Sequence, residues 1–332
     1  MGFENYKIFL EKKNWAIQKI SNAMVLMDDF RKFLEINGSS LESVGFDDFY
    51  DFTELLIKHK ENTSDNFVSI LYYGYFTSNE DLIVAVMETL DGLEMFPNFE
   101  KQLIDIYGKE VRDEIFGEIT LPPLGIHPKK KPAIIKALVT RFIEKFGQKE
   151  SITFFKIGLR DKYLSSYKNP KSNYEASQSL DEFLEIRHQS LIETLTKHYQ
   201  ENSLFFTQPV DEQVLDFVKN DQQISAGIRE GNKILMYKIP YMTSKALKET
   251  DRRKRNYYVC HNPLIRGALL EEEQPISPIF CNCSGGYLKN FWEAMFDHPV
   301  DVELVDSVIM GGEFCRFAIH LPPEIMGKIE KI

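Results

Sequence analysis

The cysteines of this chain, Cys260, Cys281, Cys283 and Cys315, all lie toward its C-terminal end, in the spacing C-x20-C-x-C-x31-C, with His261 beside the first. Thiolates are soft donors that hold zinc tetrahedrally, and an imidazole can complete the set or replace one sulfur. Cys260, Cys281, Cys283, Cys315 and His261 are therefore the candidate metal ligands, and zinc is the candidate cofactor. The same side chains also suit nucleophilic catalysis, with Cys283 or Cys281 attacking and His261, His298 or His320 as base. Ser284-Gly285-Gly286, read as a turn ahead of a helix, would then offer backbone N–H groups to an oxyanion or carboxylate. A buried thiol also packs as a small apolar group, so plain core cysteines are the third reading.

The elements that must position these residues follow from hydrophobic periodicity. An extended stretch at 281–283 would turn Cys281 and Cys283 to the same side. Leu288, Phe291, Trp292 and Met295 mark a helix over 287–296. Val300, Val302 and Leu304 alternate with acidic residues as a half-buried strand, and Cys315, Phe317 and Ile319 alternate likewise. Glu230-Gly231-Asn232 joins two strand patterns as a hairpin. Upstream, Ser179 to Glu182 forms a capping box, and Ile134 to Phe146 recurs at helical spacing until Gly147. Pro122, Pro123, Pro128 and Pro132 fall within residues 117–132 and make that stretch a linker. Before it the chain reads as short helices.

Composition bounds the function classes. The chain has 332 residues and a formal net charge of −10, with 43% apolar and 27% charged residues, an ordinary globular balance. The acidic sum disfavours phosphate backbones, so the basic runs Lys129–Lys131 and Arg252–Arg255 read as solvated faces and nucleic acid is not an expected partner. No apolar run approaches the ~18 residues of a membrane span. The N-terminus carries charges where a signal peptide needs its apolar stretch, so no membrane partner and a cytoplasmic location are expected. There is no Walker loop, no G-x-G-x-x-G and no H-E-x-x-H.

Two stretches carry resemblances. "DDFRKFLEINGSSLESVGFDDFYDFTELL" followed by "SDNFVSILYYGYF" resembles the SAM-like helical bundle that forms the core-binding domain of tyrosine recombinases. No recombinase Arg, His and Tyr constellation is recognisable downstream. The resemblance therefore implies a bundle used for packing, for a protein partner or for a homodimer. "CNCSGGYLKNFWEAMFDHPVDVELVDSVIMGGEFCRFAIHLP", residues 281–322, resembles the C-terminal part of the 4-vinyl reductase domain family. That likeness implies the α/β ligand-binding fold of haem nitric-oxide-binding domains and TRAPP subunits, some with a cysteine-bound metal. The longer stretch 203–322 is similar to a prokaryotic family labelled L-2-amino-thiazoline-4-carboxylic acid hydrolase. In those relatives the first cysteine block reads Cys-His-Cys-Pro, whereas Asn262 stands here in place of the second cysteine.

The expected fold class is α+β, in four parts. These are a helical SAM-like bundle (1–116), the Pro-rich linker (117–132), a helical connector (133–202) and a 4-vinyl-reductase-like α+β domain (203–332). The expected function is binding of a small-molecule ligand or a metal through the cysteine cluster, in a sensory or accessory role. The alternative is a cysteine-dependent hydrolase of a cyclic amide or thioamidine.

Overall fold

A computed structural model describes residues 3–161, 164–270 and 276–329. The chain divides into two compact units, Met1–Leu93 with Thr120–Lys131, and Glu94–Ile119 with Pro132–Ile332. It thus leaves the first unit after Leu93, returns at Thr120 and leaves again after Lys131.

The first unit is helical: α1 (Glu4–Lys12), α2 (Ile17–Ile36), α3 (Phe46–His59), α4 (Ser64–Thr77) and α5 (Glu80–Leu90). Side-chain oxygens start the last two. Thr63 Oγ1 accepts the Asn66 N–H at 3.2 Å, and Asn79 Oδ1 accepts the Leu82 N–H at 2.9 Å, satisfying donors that a helix start leaves open. Phe30, Phe49, Phe52 and Phe67 fill the core, Phe30 stacking on Phe52 at 4.4 Å. The returning segment is tied in by buried Thr53, whose single hydroxyl proton is shared between the Tyr50 and Gly125 carbonyls, each 2.8 Å from Oγ1.

The second unit opens with α6 (Met95–Tyr107), α7 (Lys109–Phe116) and α8 (Lys131–Phe155). The helix of α8 breaks at Gly147, whose φ of 76° is a conformation that L side chains rarely adopt, and helix resumes as far as Phe155. Then come α9 (Lys168–Ala176), α10 (Leu180–Gln200) and α11 (Glu212–Lys219). The Ser179 hydroxyl caps α10 as expected, accepting from the Glu182 N–H at 3.1 Å.

A four-stranded antiparallel sheet follows, ordered β1-β2-β4-β3, from β1 (Ile228–Glu230), β2 (Lys233–Tyr237), β3 (Asp301–Asp306) and β4 (Arg316–His320). Between the sheet's two halves lie α12 (Thr243–Lys248), α13 (Arg252–Val259) and α14 (Asn282–Phe296), and α15 (Pro323–Ile329) comes after β4. The register brings Ile234 and Val302 against Ile319, and Met236 and Leu304 against Phe317. Phe183 and Leu184 of α10 join that layer, with Trp292, Met295 and Phe296 of α14. The chain is therefore mostly helical with a small antiparallel sheet near its C-terminus, which fits the α+β expectation. Among the described residues, no helix is long and apolar enough to cross a membrane.

One local expectation is overturned. Ser284, Gly285 and Gly286 do not form a turn; they lie inside α14, which begins five residues earlier than the apolar pattern suggests. The reason is tertiary. An added Cβ on Gly286 would lie 2.3 Å from the Gly158 nitrogen and 2.8 Å from the Lys156 carbonyl oxygen. The helix and the 156–158 backbone meet at a distance only glycine permits, and this packing outweighs glycine's poor helix propensity.

A thiol-lined cavity as candidate functional site

Four separate elements deliver the cysteines to one place. Cys260 follows the last residue of α13, and its N–H donates to the Asn256 carbonyl at 3.0 Å. Cys281 ends a short 3-10 turn, Pro278–Cys281, which the Ser277 hydroxyl caps by accepting from the Ile279 N–H at 3.3 Å. Cys283 lies in the first turn of α14, and Cys315 directly precedes β4. Cys281 and Cys283 thus stand at a helix start, not in an extended stretch. Two residues in a helix are separated by about 200°, so the expected common side does not hold. All four are free thiols, three buried and Cys315 half-buried.

Cys260, Cys281 and Cys315 line a cavity of about 10 Å³ together with His261 and Lys238, room for a single water-sized occupant. Cys283 stands beside it, its Sγ accepting a hydrogen bond from Asn262 Nδ2 at 3.3 Å. Of the three histidines expected as bases, only His261 lines the cavity. His320 bonds Glu303 at 3.0 Å across the β3–β4 pair, and His298 lies just after α14. The Nε2 of His261 bonds the Ile239 carbonyl. A carbonyl only accepts, so this nitrogen carries a proton.

Burial governs the electrostatics. It pushes the Cys260 thiol up to about 12 and the Cys283 thiol to about 11, and raises Cys281 and Cys315 as well. Each thiolate formed would raise its neighbours further, Cys315 being the largest such influence on Cys260 and Cys281. The start of α14, the Lys238 ammonium and the Arg160 guanidinium all favour a thiolate at Cys283, yet desolvation wins. The protein alone therefore holds these sulfurs as neutral thiols near pH 7. Among the described residues, no three His, Cys, Asp or Glu side chains stand ready-set as a coordination group. An ion would be taken up only with proton release and a change of side-chain rotamers.

Lys238 is a residue of this site that carries no sequence signal of its own. Lys238 follows β2, and only the pairing of Tyr237 with Arg316 brings it opposite Cys315, whose carbonyl accepts the Lys238 N–H at 3.4 Å. Burial lowers its ammonium pKa, and its side chain lies over the Tyr287 ring at 5.2 Å. Asn262 is visible in the sequence as a departure from a cysteine block, but its contact with Cys283 is not. The basic run Arg252–Arg255 serves in part as structure: Arg252 donates to the Gly311 carbonyl at 2.8 Å and Arg255 pairs with Glu313 at 3.3 Å.

Residues 254–326 match a family model described as a family of unknown function, DUF6144. The matched stretch contains all four cysteines, His261 and Asn262. No curated protein and no solved structure matches the chain.

Proposed function

We propose that the C-terminal unit binds a soft metal ion in the thiol-lined cavity, in a sensory or accessory role. The observation that carries this reading is the convergence of three free cysteines, Cys260, Cys281 and Cys315, from three chain segments on one cavity of about 10 Å³, with Cys283 beside it. That size suits an ion, whereas organic ligands occupy pockets of roughly 300–1,000 Å³. Soft sulfur donors favour zinc and related ions over hard cations. His261 adds a nitrogen donor in the arrangement metal-bound histidines use, the other ring N–H given to a backbone carbonyl. The resemblance of residues 281–322 to the 4-vinyl reductase family, some members of which carry a cysteine-bound metal, supports the same reading. The hydrolase reading has less support, because a cysteine nucleophile needs a depressed thiol pKa and burial raises all four here. The reading is tested on untagged protein by metal analysis with a native thiol count. About one metal per chain, with thiols that become titratable on chelation, is expected; no metal and unchanged thiols would refute it.

A further inference from the structure

Two cations meet one face of α14 without an anion between them. The Arg187 guanidinium, from α10, lies over the Phe291 ring at 4.2 Å, and the Lys238 ammonium lies over the Tyr287 ring at 5.2 Å. Tyr287 and Phe291 are four residues apart in the helix, so the two charges share a face. Ser225 ties them to one strip of backbone. Its carbonyl accepts from Arg187 Nη2 at 2.7 Å, while its N–H donates to the Tyr237 carbonyl at 2.8 Å and its Oγ accepts the Ile239 N–H at 3.3 Å. Tyr237 and Ile239 are the residues on either side of Lys238. The guanidinium is left under-satisfied, since Arg187 Nε is shut off from solvent with no partner. Among the described residues, no carboxylate bonds either cation, and the Tyr287 hydroxyl has no hydrogen-bond partner. Arg160, held by Glu94 at 3.3 Å, adds its positive charge near Lys238. Burial pushes the Arg187 guanidinium down to about 10 and lowers Lys238 as well. Aromatic faces offset only part of the cost of desolvating a charge.

We infer that Arg187, Lys238 and the Tyr287 hydroxyl form a binding site for the phosphate group of a small ligand. Arg187 and Lys238 are half-buried and Tyr287 is 39% exposed, so the site opens to solvent. A phosphate dianion neutralises both cations, whereas a single carboxylate would leave one of them uncompensated. Guanidinium and ammonium groups are the usual partners of phosphate oxygens, and the phenol adds a neutral donor. Lys238 also lines the thiol cavity, so the two sites adjoin, but neither requires the other to be filled.

The probe is inorganic phosphate at about pH 8, where it is mostly the dianion. It is titrated calorimetrically into chelator-treated, reduced full-length protein, with ionic strength held constant by chloride. One saturable site per chain is expected. Lys238→Met and Arg187→Met should each weaken it about tenfold or more, through loss of a charged partner. Tyr287→Phe should weaken it about three- to tenfold, through loss of one hydrogen bond. That variant keeps the ring beneath Lys238 and removes a hydroxyl with no partner in the fold, so it reads the site even where the other two fold poorly. Absence of saturable heat in the wild type would overturn the site, as would unchanged affinity in Tyr287→Phe. Acetate binding as tightly as phosphate would overturn the dianion assignment. The chelator removes bound metal from the measurement, so either failure leaves the metal reading of the cavity standing.

Discussion

Gly285 and Gly286 are neighbours in the first turns of α14, and substituting each by alanine should move stability in opposite directions. At Gly285 an added Cβ meets Val302 Cγ1 at 3.5 Å and the Phe317 ring at 3.7 Å, ordinary van der Waals contact. Alanine there keeps its helical advantage and reduces unfolded-state entropy, so Gly285→Ala should be neutral or stabilising by up to about 1 kcal/mol. At Gly286 the same methyl lies 2.3 Å from Gly158 N, 2.5 Å from Gly158 Cα and 2.8 Å from Lys156 O. These are backbone atoms, so no side chain can swing aside. Overpacking of this kind costs about 1–3 kcal/mol or more, which exceeds the propensity gain of about 1 kcal/mol. Set against that gain, a net loss of up to about 2 kcal/mol follows for Gly286→Ala. Urea unfolding under reducing conditions reads both variants from the midpoint at unchanged slope. Equal effects, or a stabilised Gly286→Ala, would refute the close approach of α14 to the 156–158 backbone.

Three further outcomes follow from the packing and the thiols. Thr53→Val removes the buried hydroxyl shared between the Tyr50 and Gly125 carbonyls, and should cost about 1–3 kcal/mol in chemical denaturation of the helical unit. Metal-free protein should react with iodoacetamide at pH 8 far more slowly than the same chain in urea, since burial raises every thiol; equal rates would contradict the enclosure. The third concerns alkaline pH. The unfolded chain releases the Cys283 proton near the ordinary 9.0, and the folded protein near about 11. Its contribution is thus fully present below pH 9 and lost as pH rises from 9 toward 11. At most about 3 kcal/mol is involved. Cys283→Ala should flatten that decline in unfolding free energy, and an identical slope in the variant would count against a buried neutral thiol.

What the sequence disclosed depended on the range of the interactions involved. The hairpin at Gly231 and Asn232, the alternating strands around Val302 and Phe317, and the Ser179 cap were legible because each is decided by neighbouring residues. The start of α14 was not, because its glycines answer to the backbone of Gly158, more than a hundred positions away in the chain. The same misreading placed Cys281 and Cys283 on a strand-like stretch. The cysteine cluster was legible as a list of residue types and His261 as their companion. Lys238 was not, since only the β2–β4 register carries it to Cys315. The exclusion of His298 and His320 from the cavity likewise required the strand ends to be placed.

The cavity between α13, α14 and β4 is proposed to take a soft metal ion. Titration of metal-free, reduced protein with Cd²⁺, followed by sulfur-to-cadmium absorbance in the ultraviolet and by proton release in weak buffer, tests it most directly. Saturation at one ion per chain is expected, with protons released as the neutral thiols become ligands. Neither absorbance nor proton release at cadmium well above the protein concentration would contradict it, and the four cysteines would then stand as part of the hydrophobic core.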